Sequence, residues 1–224
     1  GTTASTTAST VSTICNGSAC GLTLVQSELS DISAAKLVIG DSSSGNIYID
    51  GVTLSHISGG VTLNSSGSSG SVEFGTGGAT IKLATINAGN GITINGDVSV
   101  TQSAIFNADY DANGTGKLII ASGDAITSTD NQSISITAND IDIYSLGTIS
   151  SGTGSTTIAV SDGGTIGLGS TSGNMSITAG ELGRITAGTL NIGDSSTGNI
   201  TVDGISAANS NNATTVSLTT ASGS

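Results

Sequence analysis

Apolar residues recur along this chain as short apolar-x-apolar triplets, each separated from the next by Gly, Asn, Asp, Ser or Thr. Examples are Leu37-Val-Ile39, Ile47-Tyr-Ile49, Val61-Thr-Leu63, Val72-Glu-Phe74, Ile92-Thr-Ile94, Val98-Ser-Val100, Leu118-Ile-Ile120, Ile134-Ser-Ile136, Ile158-Ala-Val160, Leu190-Asn-Ile192, Ile200-Thr-Val202 and Val216-Ser-Leu218. A period of two sends alternate side chains to one face, so each triplet predicts a short strand with one side buried. The polar, Gly-rich breaks read as corners. No convincing amphipathic helix is visible. Only the segment from Glu28 to Leu37 is ambiguous, because Leu29 and Ile32 could share a helical face.

Strands this short and this regular fit two architectures. An antiparallel sandwich needs hairpin turns and a core filled from two sheets. A solenoid winds two or three strands per coil, and each coil touches only its neighbours. The chain has 34 Gly, no Pro and only 2% aromatic residues, so large rings to anchor a sandwich are lacking. A long-range repeat decides the matter. LTLVQSELSDISAAKLVIGDSSSGNIYIDGV (22–52) aligns without gaps to MSITAGELGRITAGTLNIGDSSTGNITVDGI (175–205), at a constant offset of 153. The reading is therefore all-β: a parallel β-solenoid over 22–224, preceded by a Thr/Ser-rich strand and cysteine turn over 1–21. At roughly 20 residues and about 4.8 Å per coil, the chain would form roughly 11 coils. Gly40, Gly45, Gly51 and their counterparts Gly193, Gly198, Gly204 are expected at tight corners with positive φ.

The motif G-D-S-S-[ST]-G-N-I-x-[IV]-D-G, at 40–51 and again at 193–204, resembles modules of large repetitive bacterial exoproteins of the filamentous-haemagglutinin, two-partner-secretion type. The resemblance implies a right-handed parallel β-helix that projects from a cell surface and acts in adhesion and biofilm. The family's secretion domain carries Asn-Pro motifs, which this proline-free chain does not contain. Its members also tend to lack cysteine, whereas Cys15 and Cys20 are present here.

Charge excludes several functions. Net charge is −12, with 16 acidic residues against four basic ones, Lys36, Lys82, Lys117 and Arg184. Phosphate recognition needs clustered cations, so no nucleic-acid partner is expected. No apolar run approaches the length of a membrane span, so no insertion is expected. Cys15 and Cys20 frame an Asn-Gly turn and favour a local disulfide, with two free thiols or a metal as alternatives. The disulfide would indicate a secreted, extracellular setting.

Catalysis is not expected. A Ser-His-Asp triad can be written on paper with His56, but no strand-turn-helix elbow exists to present a serine. The basic and aromatic residues that polysaccharide-cleaving solenoids use are scattered. No cofactor is expected. The strongest metal candidate is Asp109-Tyr-Asp111-Ala-Asn113-Gly114, the first half of a Ca²⁺ loop whose twelfth position is Ile120 rather than Glu. Asp140 and Asp142, two apart, share one strand face.

The sequence therefore predicts a structural segment of an extracellular bacterial surface fibre, self-associating head to tail or stacking on adjacent repeats. Candidate contact residues are Thr2, Thr3, Val11 and Ile14 at one end, and Val216 and Leu218 at the other. The alternative is an adhesin that binds glycan or matrix through its lateral face.

Overall fold

The computed structural model describes residues 26–221. Cys15 and Cys20, and the candidate contact residues Thr2, Thr3, Val11 and Ile14, lie outside that range. A one-turn helix α1 (Gln26–Ser30) leads into five three-stranded coils. The first coil holds β1 (Leu37–Gly40), β2 (Ile47–Ile49) and β3 (Val52–Leu54). Next come β4 (Val61–Ser65), β5 (Val72–Phe74) and β6 (Ala79–Ile81), then β7 (Ala84–Ala88), β8 (Ile92–Ile94) and β9 (Val98–Val100). The fourth coil is β10 (Ala104–Asn107), β11 (Lys117–Ile120) and β12 (Ala125–Ser128), and the fifth β13 (Ile134–Ala138), β14 (Asp140–Ile143) and β15 (Thr148–Ser150).

The remainder is less regular. It comprises β16 (Ser155–Val160), β17 (Ile166–Gly169), β18 (Met175–Ile177), α2 (Ala179–Leu182), β19 (Ile185–Ile192), β20 (Ile200–Asp203), α3 (Ala207–Ser210) and β21 (Ala213–Leu218). Equivalent strands of successive coils pair in parallel, as β1 does with β4, β2 with β5 and β3 with β6. The fold is thus a parallel β-solenoid with three faces. The first face stacks β1, β4, β7, β10, β13, β16, β19 and β21. The third stacks β3, β6, β9, β12 and β15, and then joins the first through β19, whose start pairs with β15 and whose end pairs with β16.

Alternation builds the core as expected. The triplets of β2, β5, β8 and β9 each bury their outer two residues and leave the middle one partly exposed. In-register pairing then lines inward residues into columns. One runs Ile39, Leu63, Ile86, Phe106, Ile136, Ile158, Ile192 and Leu218, one residue from each strand of the first face. Eight rungs span about 34 Å at the inter-strand spacing of a sheet.

The described residues hold eight rungs of the first face, fewer than the evenly wound chain of roughly 11 coils. One turn takes from 20 residues (Ala84 to Ala104) to 34 (Thr156 to Leu190), because corners carry loops and one-turn helices. Of the ambiguous segment only 28–30 lie in α1, with Leu29 fully buried; 31–36, including Ile32, are turn and coil, and Leu37 opens β1. The repeat counterpart of α1 is α2, with Leu182 buried. The repeat is therefore three-dimensional: helical turn, first-face strand and second-face strand recur in the same order.

Candidate functional site

The repeated G-D-S-S-[ST]-G string forms the corner between first and second faces. The Ser43 N–H donates to Asp41 Oδ1 at 2.8 Å, and the Asp41 N–H donates to Ser44 Oγ at 2.8 Å. In the second copy Ser196 N–H donates to Asp194 Oδ1 at 2.8 Å and Asp194 N–H to Thr197 Oγ1 at 2.9 Å. The motif is thus an Asp/Ser turn that closes on itself. Of the glycines expected there, Gly40, Gly51, Gly193 and Gly204 have positive φ, whereas Gly45 and Gly198 do not. Burial opposes ionisation of Asp194, but hydrogen bonds from Ser196 and Thr197 outweigh it and hold the carboxyl below its ordinary pKa. Such a group adds stability above its unfolded pKa, and that contribution is lost as pH falls through the folded value. Asp194→Asn should therefore lower the melting temperature at neutral pH and flatten its decline on acidification, as a calorimetric pH series would record.

A polar junction replaces strand pairing on the second face. The stack β2, β5, β8, β11, β14 ends at β14, and a separate stack of β18, β17 and β20 follows. β18 packs on β14 without a strand ladder. Side chains take the ladder's place: Asp140 Oδ1 accepts the Ser176 N–H at 2.9 Å and Glu181 Oε1 accepts the Ile143 N–H at 3.0 Å. The Arg184 guanidinium donates to the Ile143 carbonyl. Buried Glu181 also caps α2, taking Thr178 N–H at 2.8 Å in a capping box. Lys117 lies 2.8 Å from Asp140 and 3.3 Å from Asp142, so the two carboxylates expected on one strand face share a cation across β11 and β14. The hydrogen bond to Asp140 raises the Lys117 pKa. Glu181→Ala leaves the Ile143 and Thr178 amides unsatisfied and should cost about 1–3 kcal/mol. Hydrogen exchange should show faster exchange at Ile143 than at residues of β8, which lies outside the junction.

The loop from Asp109 to Gly114 is bound to its own backbone. Asp109 is buried; its carboxylate accepts the Gly114 N–H at 3.1 Å, the Asn113 N–H at 3.3 Å and the Ser161 hydroxyl at 2.5 Å. Asp111 accepts from the Asn113 amide at 2.7 Å. Asp109 thus points inward, to Ser161 two rungs along the stack, while Asp111 stays at the surface. Among the described residues no cluster of three or more His, Cys, Asp or Glu could hold a metal. His56 is exposed, with Nε2 3.1 Å from the Leu29 carbonyl.

Two surfaces remain. On the third face the outward residues Thr53, Thr80, Ser99, Thr127, Ser150 and Thr186 stand in register as one column of hydroxyls. Sequence reading missed this, because outward residues on the other faces vary and the strand order was unknown. The second surface is the end formed by β20 and β21. Val202, Val216 and Leu218 are 49%, 39% and 46% exposed there. They stand over the buried residues Leu168, Leu190 and Ile192, so they are members of the core columns. Their repeat counterparts Ile49, Val61 and Leu63 are 1%, 2% and 0% exposed.

Comparison of the chain with protein families, curated proteins and solved structures finds no match. Among the described residues no helix is long and apolar enough to cross a membrane.

Proposed function

We propose that the chain is a structural, non-catalytic segment of an extracellular bacterial surface fibre. The observation that carries this reading is the inward apolar column from Ile39 to Leu218, which runs in register through all eight strands of the first face among the described residues. A stack of this kind transmits length and stiffness, with each coil stabilised by its neighbours. The polar Asp/Ser corners and the net charge of −12 suit a surface exposed to water. Resemblance of the corner motif to modules of secreted repetitive exoproteins points to the cell exterior. Antibodies against the chain should label intact cells of the source organism; label that appears only after permeabilisation would overturn the reading.

The hydroxyl column of the third face supports a second reading, an adhesin that binds glycan or matrix laterally. A glycan array probed with the chain should then give binding that Thr80→Lys and Thr127→Lys abolish.

A further inference from the structure

We infer that Asn113 is a self-modification site, at which the backbone nitrogen of Gly114 attacks the side-chain amide of Asn113. The Gly114 nitrogen bonds to Asn113 Cγ, the Cγ–Nδ2 bond breaks, and ammonia leaves. The Gly114 nitrogen gives one proton to water, and the departing Nδ2 takes one up from water. The product is a cyclic imide, which one water molecule opens to aspartate or isoaspartate. Only water is needed besides the chain itself.

Four Asn-Gly pairs occur in the sequence, at 16–17, 90–91, 95–96 and 113–114, and the last three lie among the described residues. Glycine favours the closure at each, because no Cβ blocks the approach and the backbone turns freely. The fold separates the three. The Asn90 N–H donates to the Gly70 carbonyl at 2.8 Å, and the Gly91 N–H to the Ala108 carbonyl at 2.9 Å. The Asn95 N–H donates to the Phe74 carbonyl at 2.8 Å. Gly96 is packed so closely that a Cβ there would lie 2.2 Å from the Gly75 carbonyl oxygen. Both pairs are locked between coils, and turning either nitrogen onto its side chain must open backbone bonds of the stack.

The 113–114 pair sits instead in the exposed loop between β10 and β11. Its two N–H groups donate to the Asp109 carboxylate at the longer distances of 3.3 and 3.1 Å. A Cβ on Gly114 would meet only the Asn139 amide, at 3.6 Å. Turning this pair gives up two bonds within the loop and no backbone bond between coils. Two side chains also act on the reacting amide. The Thr115 hydroxyl donates to Asn113 Oδ1 at 2.5 Å, the atom on which negative charge develops as Cγ is attacked. Asp111 Oδ2 accepts the Nδ2–H at 2.7 Å and so fixes which end of the amide faces that hydroxyl. Conversion adds one negative charge to the net −12 and replaces the bond to Asp111 by like-charge repulsion, which loosens the loop.

Peptide mapping by mass spectrometry tests this on the purified 224-residue chain, aged at neutral pH both folded and in denaturant. In the folded chain Asn113 should convert at least about tenfold faster than Asn90 and Asn95, because those two sites must first open locally. In denaturant the three rates should converge. Thr115→Val should slow conversion at Asn113 several-fold, whereas Thr115→Ser keeps the donor and should keep the parent rate. No conversion at Asn113 in the folded chain, faster conversion at Asn90 or Asn95, or an unchanged rate in Thr115→Val would each overturn the inference. So would rates that keep their folded order in denaturant, since the order would then come from local sequence and not from the coils.

Discussion

Phe106→Ala is expected to cost about 3–5 kcal/mol, enough to consume much of the stability of an ordinary domain. Phe106 is 0% exposed and, with Phe74, heads the order of fully buried side chains by volume. It sits in the first-face column between Ile86 and Ile136, each on an adjacent rung. The rungs are tied by backbone ladders on both sides, so the column cannot collapse into the void, and the cavity term adds to the lost transfer term. Chemical denaturation should show the loss as a lower midpoint. Ile105→Ala, on the same strand but facing outward, should change it by less than about 0.5 kcal/mol. Equal effects at the two positions would mean that the inward and outward assignment of β10 is wrong.

Gly40→Ala is expected to be nearly as damaging, for a different reason. Gly40 has φ +81°, and a Cβ placed there would lie 2.2 Å from the Asn64 carbonyl oxygen of the next rung. The left-handed conformation alone costs a side chain about 1–3 kcal/mol. The clash is with backbone, so relief requires β1 and β4 to separate. Gly193, its counterpart, has φ +80° and meets Thr219 O at the same 2.2 Å. Gly45→Ala is the control, because a Cβ there has no heavy atom within 4 Å and Gly45 is not among the glycines of positive φ. Thermal melts should separate the first two substitutions from the third by several degrees. If Gly45→Ala were as harmful as Gly40→Ala, the corner geometry would be wrong.

Alternation in the sequence identified the core because each triplet states which of its residues face inward. Ile47, Ile49, Val98, Val100, Ile134 and Ile136 all follow it. The repeat at offset 153 identified the corner module, and its two Asp/Ser turns hold nearly the same hydrogen bonds. Strand neighbours were less legible. Turns of 20 to 34 residues pair Thr156 with Leu190 as well as Ala84 with Ala104, and no local pattern encodes that spacing. The hydroxyl column of the third face, and the in-register Asn64, Asn87 and Asn107, exist only once the strands are stacked. The junction at β14 was invisible for the same reason: the bond from Ile143 to Glu181 spans 38 residues. Asp109 carried a metal-loop spacing, but its carboxylate is turned inward by Ser161, 52 residues away. Val216 and Leu218, expected as contact residues from their place near a chain end, are 39% and 46% exposed.

The central claim is that this chain is a stack of parallel coils. Cryo-electron microscopy of the concentrated chain tests it most directly. The account predicts rods of uniform width that carry an axial repeat of about 4.8 Å, the spacing between stacked strands. Isotropic particles with no axial repeat would contradict it.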